Sequence, residues 1–251
     1  MSSDQPAQKD GCRGIDFLPW IPFGMIFLVL TVFTLIPAYG GDPKSALDEL
    51  KKLDIPFGAD TFLDRTKLGD TVAVELFLKA GMDPDTKEKS GQGRSALICS
   101  VIFGHLDITK LLLSHGADIH ARDTVYHLTP FLWAAQEGES VTMKTLVQAG
   151  ADVNERGANG ETGLMLASAN GYTETVKTLL DLGADVNARN SFGQTALFEA
   201  IRMYRPEVVK ALLDRGADVK VTVNGVTALT EAKKMGRSDL VHLLTNAGAD
   251  E

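Results

Sequence analysis

The sequence predicts an all-α solenoid of about six helix-turn-helix units joined by β-hairpin loops, and three observations predict it. Gly-Ala-Asp recurs at Gly116, Gly150, Gly183, Gly216 and Gly248, with gaps of 34, 33, 33 and 32 residues. A fixed period in that range is the signature of stacked repeats. Second, a turn residue stands 12 positions before the closing glycine in every copy: Gly69, Gly104, Gly138, Gly171, Tyr204 and Gly236 precede Gly81, Gly116, Gly150, Gly183, Gly216 and Gly248. Third, apolar pairs recur at matched positions of the second helix: Phe77/Leu78, Leu112/Leu113, Leu146/Val147, Leu179/Leu180 and Leu212/Leu213. The chain of 251 residues is 44% hydrophobic, and stacking lets each unit bury its apolar face on its neighbours.

Taken from the N-terminus, residues 1–16 are polar and Phe17 to Ala38 is almost wholly apolar. The uninterrupted run Met25–Ile36 has the length of a signal-peptide core, and Ala38-Tyr39-Gly40 places small residues where signal peptidase cuts. The expectation is a signal peptide over 1–40, with residues 17–38 as a retained membrane anchor the alternative. Either one puts the repeats in an exported, periplasmic or secreted location. Residues 41–56 are expected to form a capping helix and linker, with Ala46, Leu47, Leu50 and Leu53 along one side. The repeats then occupy 57–251, as 57–88, 89–121, 122–155, 156–188, 189–221 and 222–251.

In the first helices Leu97, Phe131, Leu164, Leu197 and Leu229 lie three residues before the small Ser100, Ala134, Ala167, Ala200 and Ala232. That spacing marks one helix face, where small residues admit a neighbouring helix. The last copy carries charged Glu231, Lys233 and Lys234, as a solvent-facing terminal repeat should. Asn159-Gly160 and Asn224-Gly225 suit tight hairpin turns that need positive φ.

The units Gly160-Glu-Thr-Gly-Leu164…Gly171…Gly183-Ala-Asp-Val-Asn187 and Gly193-Gln-Thr-Ala-Leu197…Gly216-Ala-Asp-Val219 resemble ankyrin repeats over roughly residues 57 to 251. The resemblance implies a non-enzymatic module that binds a protein partner through a concave face of hairpin tips and first helices. Only Thr129-Pro130 keeps the family's Thr-Pro helix start. The family's helix-start histidine is replaced by Ile98, Leu132, Met165, Phe198 and Thr230, so side-chain networks built on it cannot form.

Composition narrows the partner. The net charge of −8 disfavours nucleic acid. Of the two cysteines, Cys99 sits in helical sequence and reads as a buried thiol. No phosphate-binding loop, nucleophile elbow, zinc-protease motif or paired-cysteine motif is present, so no cofactor or metal is expected. His115 and His120 straddle Gly116 and share no helix face, and a catalytic or accessory role at an envelope enzyme or substrate is the competing reading.

Seven residues are the candidates for partner contact. Six residues past each closing glycine come Lys87, Arg122, Arg156 and Arg189, until Thr222 ends the series. Adjacent helices lie about 10 Å apart, so these cations should form a line at that interval. One reading is an electrostatic guide for a partner with an acidic segment; the other is pairing with nearby Asp83, Asp118, Asp152 or Asp185. Tyr126 and Phe192 fall at equivalent hairpin tips, with Phe103 and Met203 before the helix-helix turn. Trp133 stands where later copies have Leu166 and Glu199, a position that tolerates charge and is expected to be partly exposed.

Overall fold

The structure is a computed structural model that describes residues 42–89 and 91–249. Contacts divide the chain into two compact units, one ending at Met82 and one beginning at Asp83. The expected signal or anchor, residues 1–40, lies outside the described residues. Among the described residues no helix is long and apolar enough to cross a membrane.

The first unit holds α1 (Pro43–Lys52), α2 (Ala59–Leu68) and α3 (Thr71–Lys79). Asp42 caps α1 by accepting the Lys44 N–H, and Pro43 occupies the first turn, where no amide is needed. The helix packs on α3 and buries Ala46 and Leu50. Phe77 is enclosed between the Phe57 and Phe62 rings, at 5.4 and 5.6 Å between centroids.

The second unit repeats one helical pair five times: α4 (Ala96–Ile102) with α5 (Leu106–Ser114), α6 (Pro130–Glu137) with α7 (Ser140–Gln148), α8 (Gly163–Asn170) with α9 (Thr173–Asp181), α10 (Ala196–Arg202) with α11 (Pro206–Leu213), and α12 (Ala228–Lys234) with α13 (Ser238–Asn246). First helices stack on first helices and second on second, so the unit has two layers. A continuous core runs from Ile98 to Ala249 between them. Small residues set the close approach: Ser100, Ala134, Ala167, Ala200 and Ala232 are all fully buried.

Every first helix of the second unit begins with the same device. Ser95, Thr129, Thr162, Thr195 and Thr227 each accept the N–H three residues on, at 3.0–3.4 Å, which satisfies an amide that has no helical partner. Four of the five residues in place of the missing histidine are absorbed by the core, Ile98, Leu132, Met165 and Phe198, and the fifth, Thr230 of the last repeat, is exposed. Phe198 packs with Val221 and Val223 of the last hairpin.

The joints between repeats are held by acceptor side chains. Asp118, Asp152, Asp185 and Asp218 each accept the N–H two residues on at 2.9 Å. Asn154 and Asn187 reach into the following repeat, accepting the N–H of Asp185 and of Asp218 at 2.8 Å. Asp85 does the same for Asp118 at 2.7 Å.

Of the hairpins, the last forms paired strands among the described residues, β1 (Thr222–Val223) against β2 (Val226–Thr227). Its Asn224-Gly225 turn has φ of 50° and 77°, the doubly positive geometry expected of that dipeptide. Lys87 with Ser95 and Arg156 with Thr162 form single bridges. The hairpins at Asp123 and Asn190 each keep a backbone bond, Asp123 N–H to the Leu128 carbonyl at 3.2 Å and Asn190 N–H to the Gln194 carbonyl at 3.0 Å, while the Asp123 carboxylate and the Asn190 amide oxygen take further turn amides.

Candidate functional site

All seven candidate contact residues lie in the second unit, along its hairpin edge and the adjoining first helix. The four ladder cations are exposed. Their bonding matches neither pairing with the neighbouring aspartates nor free side chains throughout. Asp83, Asp118, Asp152 and Asp185 are occupied in capping their own turns. Arg122 donates across its hairpin to the His127 carbonyl at 2.6 Å and onward to the Arg156 carbonyl at 3.0 Å. Arg156 repeats the pattern, donating to the Gly160 carbonyl at 3.2 Å and to the Arg189 carbonyl at 2.7 Å. Each guanidinium therefore staples its own loop to the next. Because carbonyls are neutral, neither cation is cancelled by its partner.

The hairpin tips are also joined directly. The Thr124 N–H donates to the Gln92 carbonyl and the Ser191 N–H to the Asn159 carbonyl, both at 2.8 Å. Arg189 ends the staple series, since no arginine follows at Thr222. Its own backbone carbonyl is taken by Arg156, and its side chain makes no ion pair or hydrogen bond among the described residues. Beside it Phe192 is 61% exposed. The loop under that ring is fixed by Asn190, whose Oδ1 accepts the N–H of Phe192 and of Gln194, each at 2.9 Å. Tyr126, at the equivalent tip, is 46% exposed.

Trp133 corrects the expectation of an exposed ring. It is 7% exposed. Its Nε1 donates to Asp123 Oδ2 at 3.0 Å, the Tyr126 ring meets it edge-on at 5.9 Å, and the Arg94 guanidinium lies 5.0 Å from its centroid. The cause is loop length. From ladder residue to helix cap the hairpins span 8, 7, 6, 6 and 5 residues, counted from Lys87 to Ser95, Arg122 to Thr129, Arg156 to Thr162, Arg189 to Thr195 and Thr222 to Thr227. The two long hairpins bring Arg94 from one and Asp123 and Tyr126 from the other over Trp133. At the same register under shorter hairpins, Leu166 and Glu199 are half-buried. Burial pushes the Glu199 carboxyl up from its ordinary range, Arg202 opposes that at 3.4 Å, and Glu161 adds to it.

Three features escaped the sequence reading. Asp123 is 1% exposed, and its carboxylate accepts four donors: the N–H of Val125 and Tyr126, the N–H of Leu128, and the Trp133 indole. The corresponding residues in other copies are Glu88, Gly157, Asn190 and Val223, so the alignment of copies offered no repeated signal. Glu155, next to ladder residue Arg156, accepts the hydroxyl of Thr129, the cap of α6. The third is on the opposite edge. The residue after each turn position covers the turn of the preceding repeat, so that a methyl group added at Gly104, Gly138 or Gly171 would meet Glu139, Tyr172 or Arg205. Comparing the residues just after each turn glycine would have exposed this series. Phe103 is half-buried and stacks on His105 at 6.4 Å, while Met203 is exposed.

Glu155 makes a measurable pH dependence. Burial raises its pKa above the ordinary carboxylate value, against the lowering effects of the Thr129 hydroxyl, Arg122 and His120. A folded-state pKa above the unfolded one means the folded chain holds the proton more tightly. The stabilisation from this group is complete below the unfolded pKa and is lost as pH rises through the folded one. Glu155→Gln, which imitates the protonated form, is expected to raise the melting temperature at pH 7 by a few degrees at most. That advantage over the wild type should shrink as pH falls toward the carboxylate range; calorimetry at pH 7, 6, 5 and 4 measures it.

A family model described as Ankyrin repeats (3 copies) matches the chain over residues 65–157, 123–190 and 164–251. Among curated proteins, Ankyrin repeat and SOCS box protein 6 of Mus musculus is 34% identical over 112 residues, 44% of this chain and 27% of the relative. A Putative ankyrin repeat-containing protein of Treponema pallidum is 31% identical, covering 45% of this chain and 37% of the relative. Protein phosphatase 1 regulatory subunit 27 of Mus musculus is 36% identical, covering 40% of this chain and 64% of the relative. The matches thus span between about a quarter and two thirds of those relatives. Among solved structures, an ankyrin repeat domain from Acinetobacter baumannii superposes with a TM-score of 0.68 at 28% identity, covering 75% of this chain and 98% of that one.

Proposed function

The chain belongs to the ankyrin-repeat family, a protein–protein interaction module, and from that premise we propose that it performs no chemistry and binds a protein partner through the concave, hairpin side of repeats two to five. The partner presents an acidic segment to the line of Lys87, Arg122, Arg156 and Arg189, and an apolar group to Phe192 and Tyr126. The observation that carries this reading is the bonding of Arg122 and Arg156 to neutral carbonyls of two successive hairpins. Side chains held in this way lose little rotamer freedom on binding, while their charges still steer an approaching anion.

The four cations do not carry equal roles. Replacing Arg122 or Arg156 removes bonds between hairpins as well as charge, so a loss of binding there would be ambiguous. Arg189 and Phe192 have no such structural duty and give the discriminating test. For a protein partner isolated by pull-down on the wild-type chain, the double variant Arg189→Glu, Phe192→Ala is expected to weaken binding at least tenfold, about 1.4 kcal/mol or more. Most of the Arg189 share should appear in the association rate and fade with added salt. Titration by interferometry at two ionic strengths measures both; unchanged affinity at low salt excludes the hairpin edge as the binding face.

A further inference from the structure

The opposite edge of the second unit carries its own set of fixed cations. The residues that cover successive helix-helix turns are Glu139, Tyr172, Arg205 and Arg237, spaced 33, 33 and 32 apart. The row changes from acidic to aromatic to basic along the array. Arg205 lies across Gly171 and donates its Nε to the Ala169 carbonyl at 3.1 Å. Arg237 stacks on the Tyr204 ring with its guanidinium carbon 3.9 Å from the centroid. Again the partners are neutral, a carbonyl and an aromatic face, so both charges persist. By contrast Arg202, Lys177 and Arg215 are matched by Glu199, Glu174 and Asp181.

Tyr204 is the anomaly at this edge. It occupies the turn position that five other copies give to glycine, at φ 50°. That left-handed conformation is unfavourable for a bulky L-residue. It is held by the following repeat, through the hydroxyl donating to Asp239 Oδ2 at 3.0 Å and the ring under Arg237. The side chain still remains 37% exposed, next to exposed Met203 and one repeat from exposed Tyr172. Strain kept at a solvent-facing residue is a pointer to function. With Arg202 matched by Glu199 and Glu174 by Lys177, the turn tips 202–206 and 234–238 keep Arg205, Lys234 and Arg237, with Asp239 beside them engaged by the Tyr204 hydroxyl, on a chain of net charge −8. Tyrosine, methionine and arginine are the residue types that carry binding energy at interfaces.

We propose that the helix-turn edge of repeats four to six is a second docking surface, which takes an acidic, partly apolar peptide segment of a protein partner across Arg205, Tyr204 and Arg237. Charge decides the occupant. Fields are screened within about 8–10 Å, so a short peptide responds to the local cations. A phosphate-rich membrane or polynucleotide extends beyond them and meets the net negative chain. Adjacent repeats place the two guanidinium groups about 10 Å apart, a spacing an extended peptide bridges in about three residues. The proposal is independent of the hairpin-edge reading, because the two edges lie at opposite ends of each first helix, about 12 Å apart.

The test uses a fluorescein-labelled decapeptide of alternating Glu and Leu as probe, with a Lys and Leu decapeptide as control. Anisotropy is followed at low and physiological salt, and amide shifts locate the contact. Wild type is expected to bind the acidic probe and not the basic one, with shifts centred on residues 202–206 and 234–238. Arg205→Gln with Arg237→Gln should weaken it at least tenfold. Tyr204→Gly, which restores the residue of the other copies and so preserves the fold, should weaken it several-fold with little change in melting temperature. Arg189→Glu with Phe192→Ala should leave it unaltered. The proposal is overturned if neither turn-edge variant weakens binding, if shifts map to the hairpins, or if anionic vesicles or polyphosphate bind through these arginines while the peptide does not.

Discussion

Asp123→Ala is expected to lower the unfolding free energy by about 3 kcal/mol or more, the largest effect of a single polar substitution in this chain. Hydrogen bonds to a charged group contribute about 1.5–3 kcal/mol each, and a buried donor left without an acceptor costs about 1–3 kcal/mol. The Asp123 carboxylate accepts four donors in a site that is 1% exposed, so the substitution strands the amides of Val125, Tyr126 and Leu128 and the Trp133 indole together. The terms overlap and are not additive, which holds the total below their sum. Asp123→Asn should cost less, since one oxygen still accepts while the new amide faces donors. Denaturant unfolding of the three proteins reads the series. Equal stability of the alanine variant and the wild type would show that the hairpin closes without its acceptor.

Trp133→Ala should cost about 3–5 kcal/mol, the range for deleting a large aromatic from a packed site. The ring is enclosed by Tyr126, Asp123 and Arg94, so the void cannot collapse without moving two hairpins. Trp133→Phe keeps most of the volume and removes the indole N–H, and is expected to lose about 1.5–3 kcal/mol, the range for a hydrogen bond to a charged group, with Asp123 Oδ2 still accepting the Leu128 N–H. The two residues touch, so a double-mutant cycle of Trp133→Phe with Asp123→Asn should show coupling of about 0.5 kcal/mol or more. The phenylalanine variant also separates structure from recognition. A stability loss with unchanged partner affinity places Trp133 under the binding surface.

The repeat architecture was legible because stacking demands the same residues in every copy. A turn needs glycine or an equivalent left-handed residue, a first helix needs Ser or Thr at its cap, and a close helix crossing needs Ala or Ser. Each demand leaves its mark at a fixed period, from Gly116 to Gly248 and from Ser95 to Thr227. The hairpin residues were legible by the same periodicity: Arg189 closes a series of cations six residues past each closing glycine, and Phe192 shares its tip position with Tyr126. The arginine staples were not, because their acceptors are backbone carbonyls, which every sequence contains.

What the sequence alone determined, then, is the stack: its period, its caps, its small-residue contacts and the positions where hairpins can carry function. What only the tertiary structure decided is which of those positions face a partner. Trp133 and Glu199 share one register, yet a hairpin one residue longer covers the first, and Arg156 is bound across two loops where Arg189 is not. Trp133 lies under Arg94, 39 residues before it, as well as under its own hairpin, and Arg156 reaches the carbonyl of Arg189, 33 residues on. Local periodicity is blind to them, since it reports what each repeat shares and these contacts are where the repeats differ.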